Sequence, residues 1–251
     1  MSIHEEYRKF LKSDLWERWS QLQPDQQRGI PCPPVQKPAP EHARRIALTP
    51  PASFTVGRDP LLEVIARRQS RRKYTAEPLS LEELSFLLWA TQGLHEVIGN
   101  GCATRRTVPS GGARHPFETY LALTRVSDLT PGLYRYLALE HQLCFLYDDP
   151  QIMERVAEAC NRQGFVRGAA VTFIWTVIPY RTEWRYSIIA EKVIALDAGH
   201  VCQNLYLASE AIGAGACAIA AYNQAKLDAL LAVDGIEEFA IYAAPVGKLP
   251  R

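Results

Sequence analysis

Arg105-Arg106-Thr107-Val108-Pro109-Ser110-Gly111-Gly112-Ala113-Arg114-His115-Pro116 runs directly into the apolar segment Phe117 to Thr124. Pro109 and Pro116 bracket a stretch that is poor at being helix, and Gly111 and Gly112 permit backbone angles and close approaches that side chains forbid. A flat ligand could lie against that backbone. The arginines beside it are cationic donors suited to phosphate or carboxylate, and Ser110 adds a small donor and acceptor. An ordinary loop entering a strand fits the same residues, so the choice rests on the rest of the chain.

The chain has 251 residues, 47% hydrophobic and 22% charged, enough for one large domain with its own core. A formal net charge of +1 gives no overall reason to expect a nucleic acid or an anionic membrane as partner. No apolar run reaches the length that crosses a bilayer, and Met1 to Phe10 is polar and charged, so the expected location is cytoplasmic. The six cysteines (Cys32, Cys102, Cys144, Cys160, Cys202, Cys217) are scattered without a Cys-x-x-Cys pair. That pattern suggests buried reduced thiols, with neither a metal site nor a disulfide framework.

Ile3, Tyr7, Phe10, Leu11, Leu15, Trp16 and Trp19 recur at helical spacing and predict an amphipathic helix over residues 3–22. From Pro24 to Pro60 repeated prolines exclude long regular structure and favour an extended, wrapping arm. Residues 1–58 are therefore read as an N-terminal helix and proline-rich arm, and 59–251 as the main domain. Asp59 and Pro60 read as N-cap and first position of a helix that ends in Arg67-Arg68-Gln69-Ser70-Arg71-Arg72-Lys73. Five cations in those seven positions repel one another unless an anion lies among them. A solvated basic helix end is the alternative. Ser80 and Glu83 make a capping box for the next helix, which reaches about Thr91 and ends at Gly93.

Taken together, Arg68-x-Ser70-x-Arg72-x-Tyr74, Leu88-Trp89-Ala90-Thr91-Gln92-Gly93 and Pro109-Ser110-Gly111-Gly112-Ala113-Arg114-His115-Pro116 resemble the FMN-dependent nitroreductase superfamily, most closely its SagB-type dehydrogenase branch. The resemblance covers about Leu61 to Arg251. It implies an α+β fold in which a central, mostly antiparallel sheet is flanked by helices, with a long central helix in a homodimer interface and FMN bound where the two subunits meet. The segments beyond agree. Glu118 to Val126 and Val171 to Ile178 read as strands, Gly132 to Tyr136 and Gln142 to Tyr147 as a hairpin, and Ile152 to Cys160 as a short helix. Thr182 to Gly213 is the longest helical stretch; from Ile188 it would span about 26 residues, roughly 39 Å. Its apolar residues fill two neighbouring stripes, so it wants covering on nearly every side. Gly213 to Cys217 reads as a glycine-rich turn into a strand from Ala218 to Tyr222, followed by a helix from Lys226 to Val233 and a last strand from Phe239 to Pro245.

The resemblance also assigns a site. Arg68, Ser70, Arg72 and Lys248 would hold the phosphate, ribityl chain or ring oxygens of FMN. Pro109, Ser110, Gly111, Gly112, Ala214 and Gly215 would frame the ring. Azoline dehydrogenases of the SagB type carry a Lys-Tyr pair at this place; Tyr186 matches it and Arg185 departs from it, and Tyr186 and Arg185 are the catalytic candidates. Arginine stays charged where a buried lysine can become a neutral base. His200, among small and apolar residues, reads as a hydrogen-bonded core histidine ahead of a catalytic one. The expected activity is flavin oxidoreduction of a small organic or modified-peptide substrate, with NAD(P)H as a transient reductant. A noncatalytic flavin-binding module and a docking component of a biosynthetic complex are the competing classes.

Overall fold

Along Phe117 to Leu123, Leu121 and Leu123 enter one apolar core while Tyr120 and Ala122 enter another. A strand that is apolar on both sides must be covered on both sides. The computed structural model describes residues 3–250 and builds those two layers. In chain order the elements are α1 (Ile3–Arg8), β1 (Arg45–Ala47), α2 (Leu61–Arg67), α3 (Leu81–Gln92), β2 (Leu94–Ile98), β3 (Ala103–Arg106), β4 (Phe117–Leu123), β5 (Gly132–Leu137) and β6 (Gln142–Asp148). There follow α4 (Ile152–Ala159), β7 (Val171–Val177), α5 (Tyr180–Tyr186), α6 (Ala190–Glu210), β8 (Ala214–Ala216), α7 (Gln224–Leu231) and β9 (Phe239–Lys248). The main sheet has seven strands in the order β1-β6-β5-β4-β7-β9-β8, with every neighbouring pair antiparallel. Leu84, Leu87 and Leu88 of α3 and Ile194, Val201 and Leu205 of α6 cover one face, and Ile152 and Val156 of α4 with Leu227 and Leu231 of α7 cover the other. The expected α+β architecture is present.

Several local expectations change. The predicted helix over 3–22 is broken at Ser13: after α1 the chain continues as a 3-10 segment, Asp14–Gln21, with no buried residue. Pro60, not Asp59, occupies the N-cap position of α2, and the Asp59 carboxylate instead pairs with Arg67. The central helix divides because Ser187 adopts φ 49° and ψ −136°, leaving α6 with 21 residues. The strand after Gly213 lies at Ala214–Ala216 and not at Ala218 to Tyr222, because that short run is what pairs with β9. The Ser80–Glu83 capping box is present as read.

The arm is tied down by side chains that compensate for its prolines. Proline has no N–H, so an extended proline-rich segment cannot complete a ladder, yet its buried carbonyls still need donors. Arg181 Nε donates to Pro34 O at 2.9 Å, Arg106 Nη2 to Val35 O at 3.2 Å, and Arg135 Nη2 to Pro38 O at 2.7 Å. Further along, β1 adds the arm to the sheet edge beside β6. Cys32 of the arm is disulfide-bonded to Cys102 in the turn between β2 and β3, which corrects the expectation that all six cysteines are reduced. Spacing along the sequence gave no sign of a pair 70 residues apart.

Candidate functional site

Beyond α2 the chain leaves helical geometry at Arg68 (φ −56°, ψ 122°) and runs as a strap along the sheet edge. Arg71 N donates to Ala216 O at 2.9 Å and Thr75 N to Lys248 O at 2.9 Å. Four of the five cations of this stretch fall into two sets. Arg67 and Arg71 are neutralised by Asp59 and Glu210. Arg68 lies over the Tyr206 ring at 5.5 Å and Arg72 over the Phe165 ring at 5.7 Å, and neither has a carboxylate partner among the described residues. Ser70 stands between them, its hydroxyl 3.0 Å from Tyr206 Oη. Arg68 and Ser70 thus meet at Tyr206, with Arg72 two residues further along the strap against Phe165.

Ala214 and Gly215 lie beside the strap in β8, buried. A Cβ on Gly215 would come within 2.6 Å of Arg71 Cβ, so the arginine stem covers this glycine. Lys248 is adjacent but not free: its ammonium is bonded to the Glu83 carboxylate and donates to Ile212 O at 2.9 Å. The residue expected to reach the phosphate is thus engaged within the chain. Arg251 lies outside the described residues.

The loop Pro109 to Ala113 sits by the first half of α6. Ser110 Oγ donates to Asp197 Oδ2 at 2.6 Å, Gly111 N donates to the same carboxylate at 3.1 Å, and His115 N donates to Ser110 Oγ at 2.9 Å. Asp197 is held above the usual carboxylate range by burial, partly offset by those two donors. Gly112 has φ 60°, and a Cβ there would stand 2.6 Å from Arg185 Cδ and 2.8 Å from Tyr186 Oη. A Cβ on Gly111 would collide with Val193. Both glycines thus pack closely against side chains of α5 and α6. Asp197, the loop's anchor, was legible only as part of Asp197-Ala198-Gly199-His200, with no signal for what it holds.

Arg185 and Tyr186 end α5, the Arg185 guanidinium 5.7 Å from the Tyr186 ring centre. Arg185 Nη1 also donates to Gln26 Oε1 at 3.2 Å. The rings of Trp16 and Trp19 stand 6.1 and 6.4 Å from that of Tyr186, so the N-terminal segment roofs the candidate pair. Sequence reasoning missed this contact, because nothing local links residues so far apart.

The arginines flanking the loop are engaged by groups of the chain itself, Arg105 by the Glu96 carboxylate at 2.8 Å. Arg106 donates to Gln92 Oε1 at 2.8 Å as well as to the arm, and burial lowers its pKa to about 10. Arg114 donates to Arg181 O at 2.5 Å, lies over the Trp184 ring at 4.7 Å, and is lowered to about 10 by burial and then by Arg185. His115 is pushed down to about 3, first by burial and then by Arg106. His200, read as a core histidine, has a half-exposed side chain with Nδ1 3.9 Å from Asp197. On the outer side of α6, Leu196 is 57% exposed, and a groove of about 370 Å³ lined by Phe86, Trp89, His95, Leu207 and Ala211 runs beside its second half.

The sequence profile described as "Nitroreductase family" matches residues 65–248. A Methanocaldococcus jannaschii protein named as a nitroreductase is 30% identical over 188 residues, covering 75% of this chain and 90% of that protein. The trifolitoxin-processing protein TfxB of Rhizobium leguminosarum bv. trifolii is 26% identical over 177 residues, and the match spans 68% of this chain but only 48% of TfxB. Among solved structures, a nitroreductase-type protein of Ralstonia eutropha JMP134 superposes with TM-score 0.68 at 27% identity, covering 88% of this chain and 99% of that one. A Desulfovibrio desulfuricans protein in complex with FMN gives TM-score 0.53 at 24% identity over 77% of this chain and 88% of that one. A chain of the Escherichia coli microcin synthetase McbBCD complex with truncated pro-MccB17 gives 0.61 at 17% identity over 84% of this chain and 80% of that one, a likeness of fold. With the matched region taking in the strap, the loop, both parts of the central helix and the last strand, the chain belongs to the nitroreductase family.

Proposed function

We propose that this chain is an FMN-dependent oxidoreductase acting as a homodimer, with the phosphate end of the cofactor held by Arg68, Ser70 and Arg72. The observation that carries this reading is the pair of cations Arg68 and Arg72, left without a carboxylate among the described residues on either side of the Ser70 hydroxyl. A dianionic phosphate fits that donor set, since guanidinium groups bind its oxygens in pairs. The FMN bound to the Desulfovibrio relative supports the choice of ligand. Bound FMN would supply hydride or electron transfer at its ring, with NAD(P)H as a transient reductant. The protein's own groups would do the rest. Ala214 and Gly215 present backbone beside the strap, and Lys248 could reach the phosphate only by exchanging its Glu83 partner.

The loop Pro109-Ser110-Gly111-Gly112, fixed by Asp197, and the strap, fixed by Tyr206, lie on opposite halves of α6, roughly 14 Å apart along its axis. A second copy packed antiparallel on the exposed side of α6 would bring its loop to this strap. The exposed Leu196, Leu61, Leu62 and Ile65 support such a covering.

At the candidate catalytic pair, Arg185 remains cationic and suits an anionic substrate group or a developing negative charge. The Tyr186 hydroxyl is the proton carrier, and Trp16 with Trp19 shields it from water. A second reading, oxidation of a ring in a modified peptide as in the SagB-type branch, is supported by the likeness to TfxB and to the McbBCD chain. In that case proton removal falls to Tyr186, because Arg185 cannot act as a base.

The test is the visible absorption spectrum of the purified protein, followed by anaerobic addition of NADPH or NADH. Oxidised flavin bands that bleach on addition are the expected result for a reductase. Flavin that stays oxidised favours the dehydrogenase reading, and a colourless protein that takes up no added FMN overturns the cofactor assignment.

A further inference from the structure

Five cations within seven residues would repel one another in any orientation that left them all facing one way. Glu210, the last residue of α6 and 4% exposed, decides which of them face inward. Its Oε1 accepts from Arg71 Nε at 3.3 Å and from Gln69 N at 3.4 Å, and its Oε2 lies 3.9 Å from Arg67 Nε. Its backbone carbonyl accepts from Arg67 Nη2 at 3.0 Å. The strap then closes on itself, Arg71 Nη2 donating to Arg67 O at 3.2 Å. One buried carboxylate thus fixes two side chains and one amide of the strap, at the point where α6 ends and β8 begins. In an extended segment alternate residues face opposite ways, so Arg68, Ser70 and Arg72 project opposite to positions 67, 69 and 71.

We propose that Glu210 is a positioning residue for the anion site: by holding Arg67, Arg71 and the Gln69 N–H, it aims Arg68, Ser70 and Arg72 at the cofactor's phosphate. The inference rests on the FMN reading above. It has a consequence opposite in sign to that of simple charge. A carboxylate beside a cationic site lowers the local positive potential, so removing its charge would tighten anion binding if potential were all that mattered. Removing it when it positions the donors loosens anion binding, because a phosphate clamp depends on geometry more than on total charge.

The experiment is a fluorescence titration of apoprotein with FMN and, separately, with riboflavin, which lacks the phosphate. It uses wild type, Glu210→Gln and the double variant Glu210→Gln/Arg71→Gln. The double variant keeps the net charge of wild type and puts two amides where the ion pair stood, so it also guards against a single variant that does not fold. The expected result is FMN binding weaker by roughly tenfold or more in both variants, with riboflavin binding little changed. FMN affinity equal to or tighter than wild type in Glu210→Gln, or restored in the double variant, overturns the proposal, since charge alone would then account for it. Equal losses for FMN and riboflavin also overturn it, as they mark a general structural defect. Wild type that binds no FMN overturns the cofactor reading and this inference together; wild-type binding with unaffected variants overturns this inference alone.

Discussion

Two arginine-rich regions flank the site, and they differ in who answers their charge. In the region around the loop, Arg106, Arg114 and Arg181 are buried and bonded to carbonyls or to the Glu118 carboxylate of the chain itself. In the strap, Arg68 and Arg72 rest on aromatic rings with no carboxylate among the described residues. The first set holds the molecule together, and the second is the one we propose to bind an anion. Clustering in sequence is common to both, so it is the partner and not the cluster that marks a binding site.

The sharpest way to break this contrast is at Arg181, whose guanidinium donates to Glu118 at 2.6 Å with both side chains no more than 3% exposed. Arg181→Met should cost about 3–5 kcal/mol of folding stability, because it leaves the Glu118 carboxylate buried beside a single remaining donor, Lys37 N. Denaturant unfolding measures this, and a loss below about 1 kcal/mol would mean that the buried set is not structural. Next, Arg72→Ala should weaken FMN binding by roughly 1.5–3 kcal/mol while stability stays within about 0.5 kcal/mol. Flavin titration paired with a melting curve reads both, and the reverse pattern would move Arg72 into the structural set.

The smallest effect concerns His115, which belongs to the buried region. Its folded pKa is depressed from 6.5 to about 3, so its neutral form is the one the fold accommodates. The associated stability is complete above the unfolded value of 6.5 and is lost as pH falls toward 3. At one pH unit below that unfolded value the loss should be roughly 1 kcal/mol. His115→Asn, which tolerates the left-handed φ of 43° there, should flatten that part of the pH profile. A profile identical to wild type would show that another group titrates.

What could be read from sequence follows the range of the interactions involved. The capping box at Ser80, the hairpin of β5 and β6 and the presence of a strand at β4 are decided within a few residues, and they stand as read. The break at Ser187 and the shift of the strand to Ala214 depend on tertiary pairing that no local pattern encodes. The residues of the strap were found because cations repel, which is visible in sequence. Their division into inward and outward sets was not, because Glu210 lies 139 residues from Arg71. The glycines of the loop were noticed because they allow close approach, and the neighbours that use it, Val193, Arg185 and Tyr186, lie too far along the chain to be read locally.

The three residues of β1 are a small part of the arm, yet they occupy the outermost position of the sheet next to β6. Without them the β6 backbone would present an open row of donors and acceptors, the arrangement through which sheets join end to end. The arm therefore acts as a stopper as well as a roof. A chain shortened to begin at residue 59 would be expected to self-associate through β6 even if its flavin site were intact.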